Sequence, residues 1–242
     1  MFWRKTRDAI GRFHPVHQQL TMERTASMAS RPAEWAAVLA SLSQHEATVK
    51  RRKWRLPSRT TTVLVPLIQV LSEDTAPDRT IGITADLRGP DMPDKTGPQH
   101  DLGVKTRYVR KITEWFVLDT WLQLRAELRD GSVLEVRVTD RVRHRKIHKV
   151  NARGKHKWKR KKKAVQRIDA RRTLPRGMAV QRPPTAPPRW IAVRRKDGKR
   201  TVLNATAKLP EVPGDQDQLQ VILTVVTELF RWTQAQTPRR TA

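Results

Sequence analysis

Hydrophobic and polar positions alternate most strictly between residues 122 and 138. Leu122, Leu124, Ala126 and Leu128 are separated by Gln123, Arg125, Glu127 and Arg129, and after Asp130-Gly131 the pattern returns with Leu134, Val136 and Val138 around Glu135 and Arg137. A period of two puts the apolar side chains on one face of a strand, and Asp-Gly supplies the positive φ of a two-residue turn, so the pattern predicts a β-hairpin. Glu127 and Glu135 are expected to pair with Arg129 and Arg137 across its strands. A second hairpin is predicted from Trp190 to Ala205 around Lys196-Asp197-Gly198-Lys199. Thr60 to Val70 is rich in β-branched residues and reads as a strand that Pro66 confines to an edge or bulge. Arg79 to Leu87 is a shorter strand, and Tyr108 to Leu118 fits helix and strand equally well.

Helical spacing appears twice. Pro32 suits a first helical position, and Trp35, Val38, Leu39 and Leu42 follow on one face, predicting a helix that runs to about Val49. Near the C-terminus Asp215 or Asp217 caps a helix whose apolar face is Leu219, Ile222, Leu223, Val226, Leu229 and Phe230. The expected fold is therefore α+β: a small antiparallel sheet built from two Asp-Gly hairpins plus one or two strands, packed by two helices. The expected organisation is a basic N-terminal tail over 1–30, one domain over 31–235 and a short basic tail over 236–242. Within the domain, 86–103 is an irregular loop rich in Pro and Gly, and 176–189 is an extended Pro-rich linker or surface rail.

Charge changes this picture. The 242 residues hold 50 Lys and Arg against 23 Asp and Glu, a formal charge of +27. The excess is concentrated where the first hairpin runs on. Arg141, Arg143, Arg145, Lys146 and Lys149 lead to a tip at Asn151-Ala-Arg-Gly154 with Arg153 and Lys155. The return carries Lys157, Lys159, Arg160, Lys161, Lys162 and Lys163, so 141–163 holds thirteen cations and no acid. Unpaired charges of this density cannot be buried and must meet water or a polyanion. Residues 140–173 are expected to form a two-stranded arm, mobile until it lies on nucleic acid. Trp158 stands alone among the cations, placed to stack on a base or to pack on Ile147. Two further clusters extend the candidate surface: Lys50, Arg51, Arg52 and Lys53 after the first helix, and Arg194, Arg195, Lys196, Lys199 and Arg200 at the second turn.

Other chemistry is thinly represented. The absence of cysteine removes disulfides, thiolate metal sites and cysteine nucleophiles. No apolar run approaches the roughly 20 residues of a membrane span. Asp86, Asp91, Asp94, His100 and Asp101 collect oxygen and imidazole ligands in one loop, enough to raise a divalent-metal nuclease as a rival, although Asp favours turns for backbone reasons. His144, His148 and His156 lie in cationic surroundings that disfavour a metal, and no Gly-rich phosphate loop, nucleophile elbow or zinc-protease motif occurs. No cofactor is expected.

The composition looks like that of ribosomal, ribonucleoprotein and nucleoid proteins. The expected function is non-enzymatic binding of RNA or DNA through the phosphate backbone, in the cytoplasm and as part of a nucleoprotein assembly. The rivals are a structural or assembly protein of a large particle, whose arm threads between other proteins, and a metal-dependent nuclease or recombination enzyme.

Overall fold

The computed structural model describes residues 2–103 and 106–233. Eight strands form one antiparallel sheet: β1 (Thr25–Ser30), β2 (Ile81–Asp86), β3 (His100–Asp101), β4 (Val109–Glu127), β5 (Val133–Val150), β6 (His156–Thr173), β7 (Ile191–Lys196) and β8 (Val202–Leu209). Their order across the sheet is β1-β2-β4-β5-β6-β8-β7, with β3 on the same edge of β4 as β2. Helices α1 (Phe2–Ile10), α2 (Pro15–Met22), α3 (Pro32–Ser43), α4 (His45–Thr48), α5 (Val65–Asp74) and α6 (Gln218–Phe230) complete the chain. Trp35 of α3, Leu67, Ile68 and Leu71 of α5, and Ile222, Val225 and Leu229 of α6 meet Ile81, Leu122, Val136, Ile168 and Leu203 of the sheet in one core. Trp35 also donates its indole N–H to the Ile81 carbonyl at 2.9 Å.

The α+β class holds, but the sheet is not a small one made of two hairpins. Residues 2–30, expected as a basic tail, form α1, α2 and β1, and Val16, Leu20 and Ala26 enter the core. The basic tail expected over 236–242 lies outside the described residues. Thr60–Val70 is helical: a π turn at Thr60–Leu64 runs into α5, so burial on a helical period outweighs the strand preference of its β-branched residues. The 32–49 helix breaks at Gln44 into α3 and α4. Asp217 is the N-cap residue of α6 but makes no side-chain cap, while Asp215 accepts a hydrogen bond from Ser58. Met178 and Val180 pack on the core, and the 182–188 stretch crosses the surface as a rail held by Arg231 on the Thr185 carbonyl.

The strongest predicted hairpin is present, with a different turn. Gly131 N–H bonds the Leu128 carbonyl, Leu128 N–H bonds the Ser132 carbonyl, and Gly131 has φ of 77°. This is a three-residue loop with glycine in the left-handed position of a bulge, not a two-residue turn. The arm tip repeats it: Gly154, φ 76°, bonds Asn151, and Asn151 bonds Lys155. In the second hairpin β7 and β8 pair Lys196 with Val202, leaving a five-residue loop in which Asp197 accepts from Arg195 and Thr201. Glu135 pairs with Arg125 (3.2 Å) and Arg171 (3.7 Å), and Glu127 with Arg79 (3.7 Å); neither takes the Arg129 or Arg137 expected.

The arm has three strands. β4 pairs with β5 as far as Val109–Lys149, and β5 with β6 as far as Val150–His156, so the ambiguous 108–118 segment is the backing strand of the ribbon. A register shift at Thr120–Leu122 puts Trp121 and Leu122, both fully buried, in succession and moves the buried positions along β4 from odd (Val117, Asp119) to even (Leu124, Ala126). Beyond the helices the three strands continue for roughly 25 Å at about 3.3 Å per residue. Since β8 pairs only with Gln166–Thr173, the outer edge of 156–165 is unpaired among the described residues.

Candidate nucleic-acid interface

Helices cover one face of the sheet and leave the other open, and along the arm the two faces carry different chemistry. The open face has the odd positions of β5 and β6. Registry sets Arg143 opposite Lys163, Arg145 opposite Lys161, and Lys149 opposite Lys157, with Ile147 opposite Lys159 between them. Like charges directly opposite repel, so these rungs destabilise the free arm. Glu114 of β4 answers only the inner arginines, Arg143 at 3.8 Å and Arg145 more closely. Among the described residues no carboxylate reaches Lys157, Lys159, Lys161 or Lys163. Successive lysines of this row lie about 6.7 Å apart, twice the strand rise.

The even positions face the helical side. His148 stacks between Trp158 (4.4 Å, 14°) and His156 (5.0 Å, 29°), and its Nε2 lies 2.9 Å from Nδ1 of His156. Lys146 sits 4.5 Å from the Trp158 ring centre. Trp158 therefore packs on His148 and Lys146, not on Ile147, which the alternation turns to the opposite face; 49% of Trp158 stays exposed. Nearer the core Trp115 and His144 stack in parallel at 5.1 Å. Burial and then Lys162 lower the His144 pKa, and Asp91 works against them. Lys162 meets Asp91 at 3.4 Å, while Arg160 faces solvent.

At the arm base the candidate aspartates are already engaged by side-chain cations. Lys95 reaches both Asp86 (3.0 Å) and Asp119 (2.6 Å), and Arg88 joins Asp86 to Asp94. Burial raises the Asp86 pKa, but hydrogen bonds from Arg88 and Lys95 outweigh it and hold the group at about 2. Asp101 pairs with Lys111 at 3.4 Å, and His100 pairs with Glu114 in the β3–β4 ladder. Asp91, His100 and Asp101 thus do not join Asp86 and Asp94, and no group of three metal-ligating side chains occurs among the described residues. The 88–99 loop is pinned to β4 where Gly97 N–H meets the Phe116 carbonyl at 2.8 Å; a Cβ on Gly97 would lie 2.9 Å from that oxygen.

The three basic clusters are not one surface. Lys50, Arg51, Arg52 and Lys53 follow α4 in the helical layer, where Lys53 lies over Trp54. Arg194, Arg195, Lys196, Lys199 and Arg200 belong to the β7 edge strand and its turn, at the end of the sheet opposite the arm tip. Arg153 and Lys155 form the tip itself. What joins the ladder on the open face is a set the charge pattern did not reveal: Phe116, Leu118, Arg137 and Lys208. The signal for Phe116 and Leu118 was the same period of two, hidden by the register shift at Trp121.

The class defined by these features is a one-sided antiparallel sheet whose central strands extend into a cationic arm. No family model matches the chain, and no curated protein or solved structure matches it significantly. Among the described residues no helix is long and apolar enough to cross a membrane.

Proposed function

We propose that the protein binds nucleic acid without catalysis, chiefly through the phosphate backbone, and that the arm is its main contact. The observation that carries this reading is the cation ladder: Arg143–Lys163, Arg145–Lys161 and Lys149–Lys157 repel one another across strands, and a polyanion laid along them converts that repulsion into attraction. Lysines along an unpaired edge also discourage another strand from adding there, which favours a polyanionic partner over assembly by strand addition. Backbone binding releases counterions, so affinity falls steeply with salt and varies little with base sequence. The test is fluorescence anisotropy of labelled RNA and DNA with the whole chain at 50 and 200 mM salt. A loss of about 10³-fold or more is expected for six or more phosphates neutralised. Binding that does not respond to salt would refute the reading.

A further inference from the structure

We propose that the open face of the sheet holds an unpaired nucleobase in a groove where the arm joins the core, so that the preferred polymer is single-stranded. The inference rests on the nucleic-acid reading above and specifies its substrate. The groove, about 910 Å³, is large enough for a ligand of nucleotide size. Its floor is a row set by registry: Leu118 beside Arg141, and Arg141 beside Val165, with Phe116 in the next row toward the tip. Leu118 is 59% exposed, the most exposed large apolar side chain among the described residues. The Arg141 guanidinium lies over the Phe116 ring, 4.2 Å from its centre, so an aromatic ring and a planar cation stack on each other in the floor.

The charge around this floor selects the occupant. Arg137, Arg141, Arg167 and Lys208 line the groove against one carboxylate, Asp169, which stands opposite Arg137 in registry and is paired with Arg167. Among the described residues Arg137 and Lys208 make no ion pair, and the row beyond Leu118 is Phe116–Arg143–Lys163, the inner rung of the ladder. Apolar and aromatic surface surrounded by such cations, and continuous with a phosphate-tracking row, suits a base on the floor with its neighbouring phosphates on the ladder. The other depression on the open face lacks this chemistry. There Arg125 and Arg171 share Glu135, and the walls are Ser27, Ala29 and Gly82; the Arg167–Asp169 pair, at 2.7 and 2.8 Å, borders both depressions. A duplex cannot present a base face to the Phe116 groove without unpairing it, which costs a few kcal/mol per base.

The experiment compares a 12-nucleotide single strand with a duplex of equal length, using the full chain, Phe116→Ala, Leu118→Asp, and the ladder variant Lys161→Gln/Lys163→Gln. Phe116→Ala should weaken single-strand binding about tenfold with an unchanged salt slope and leave duplex binding as it was. Leu118→Asp, at a solvent-exposed position, should weaken single-strand binding at least as much. The ladder variant should weaken both polymers and lower the salt slope. Groove variants that bind the single strand like the natural chain would overturn the inference while leaving backbone binding intact. Equal losses on single strand and duplex would overturn it too. If the natural chain binds neither polymer in a salt-dependent way, the parent reading falls with it.

Discussion

Asp119 and Asp140 stand directly opposite each other in adjacent strands, both buried, and each is neutralised by a cation from a different element. Lys95 of the 88–99 loop reaches Asp119 at 2.6 Å; Arg59, ahead of the π turn, reaches Asp140 at 2.8 Å, and Gln166 adds a 2.8 Å hydrogen bond. Two facing carboxylates would otherwise repel in a low dielectric. The pair therefore fastens the loop and the helical layer to the base of the arm. Arg59 also lies 4.3 Å from the Trp121 ring centre.

Removing Lys95 should expose the cost of that arrangement. Burial raises the Asp119 pKa and Lys95 opposes it, so Lys95→Met leaves a buried carboxylate without its cation. A loss on the order of 3 kcal/mol at pH 7 is expected. Protonation neutralises the orphaned group, so the deficit should shrink as pH falls through its raised pKa, and Asp119→Asn in the same background should recover most of it. Urea midpoints at two pH values measure both; a deficit independent of pH would contradict the account.

Arg172 is the second fastening. Its side chain is 2% exposed, bonds Ser132 (3.0 Å), Thr233 (2.9 Å) and Asp130, and lies 3.9 Å from the Phe230 ring centre. It thus ties the first hairpin turn to the end of α6. Arg172→Ala should cost on the order of 3 kcal/mol, and Arg172→Lys should recover little, since an ammonium cannot fork to three partners in a plane. Thermal unfolding checks the loss, and near-natural stability of the Lys variant would show that charge alone suffices.

Acid should loosen the N-terminal helices before it protonates Asp86. His17 is buried, stacks on Phe13 at 4.0 Å, and lies 2.9 Å from Ser41 and 2.8 Å from His45. Burial first, then His45 and His14, bring its pKa down to about 4. The folded value is below the unfolded one of about 6.5, so the stabilisation is complete above pH 6.5 and lost as pH falls toward 4. At about 1.4 kcal/mol per unit the whole window is worth on the order of 3 kcal/mol. Asp86, held near 2, contributes only below that window. His17→Gln should flatten the change in urea midpoint between pH 7.5 and 4.5; an unchanged slope would assign it elsewhere.

The four outer lysines make a two-sided prediction. Replacing Lys157, Lys159, Lys161 and Lys163 by Gln should lower the salt slope of nucleic-acid binding by about 0.9 for each phosphate that is no longer neutralised. The same change should leave the free protein as stable as before or more so, because it removes cross-strand repulsion. Anisotropy titrations and thermal unfolding read the two effects. A slope that stays put would place the lysines outside the binding surface, and a fall in melting temperature would contradict the cross-strand repulsion.

Patterns of local origin were legible in the chain. Alternation around Asp130-Gly131, the Asn151–Gly154 tip, the Pro32 helix start and the cation run each depend on residues a few positions apart, and each corresponds to an element of the structure. Thr60–Val70 misled because a β-branched run records a preference that tertiary burial can override. The 108–118 segment could not be resolved from within, since the shift at Trp121 breaks its phase with the clear alternation that follows.

The sequence alone determined that the chain carries a hairpin running into a cationic arm, because strand period, turn glycine and charge density are properties of neighbours in the chain. Only the tertiary structure decided that the arm has a third strand, that residues 2–30 belong to the fold, that Lys95 fills the space among the carboxylates, and which cations share a face. Those outcomes depend on cross-strand registry and on side chains meeting across tens of residues, where packing and desolvation act and no local pattern reaches.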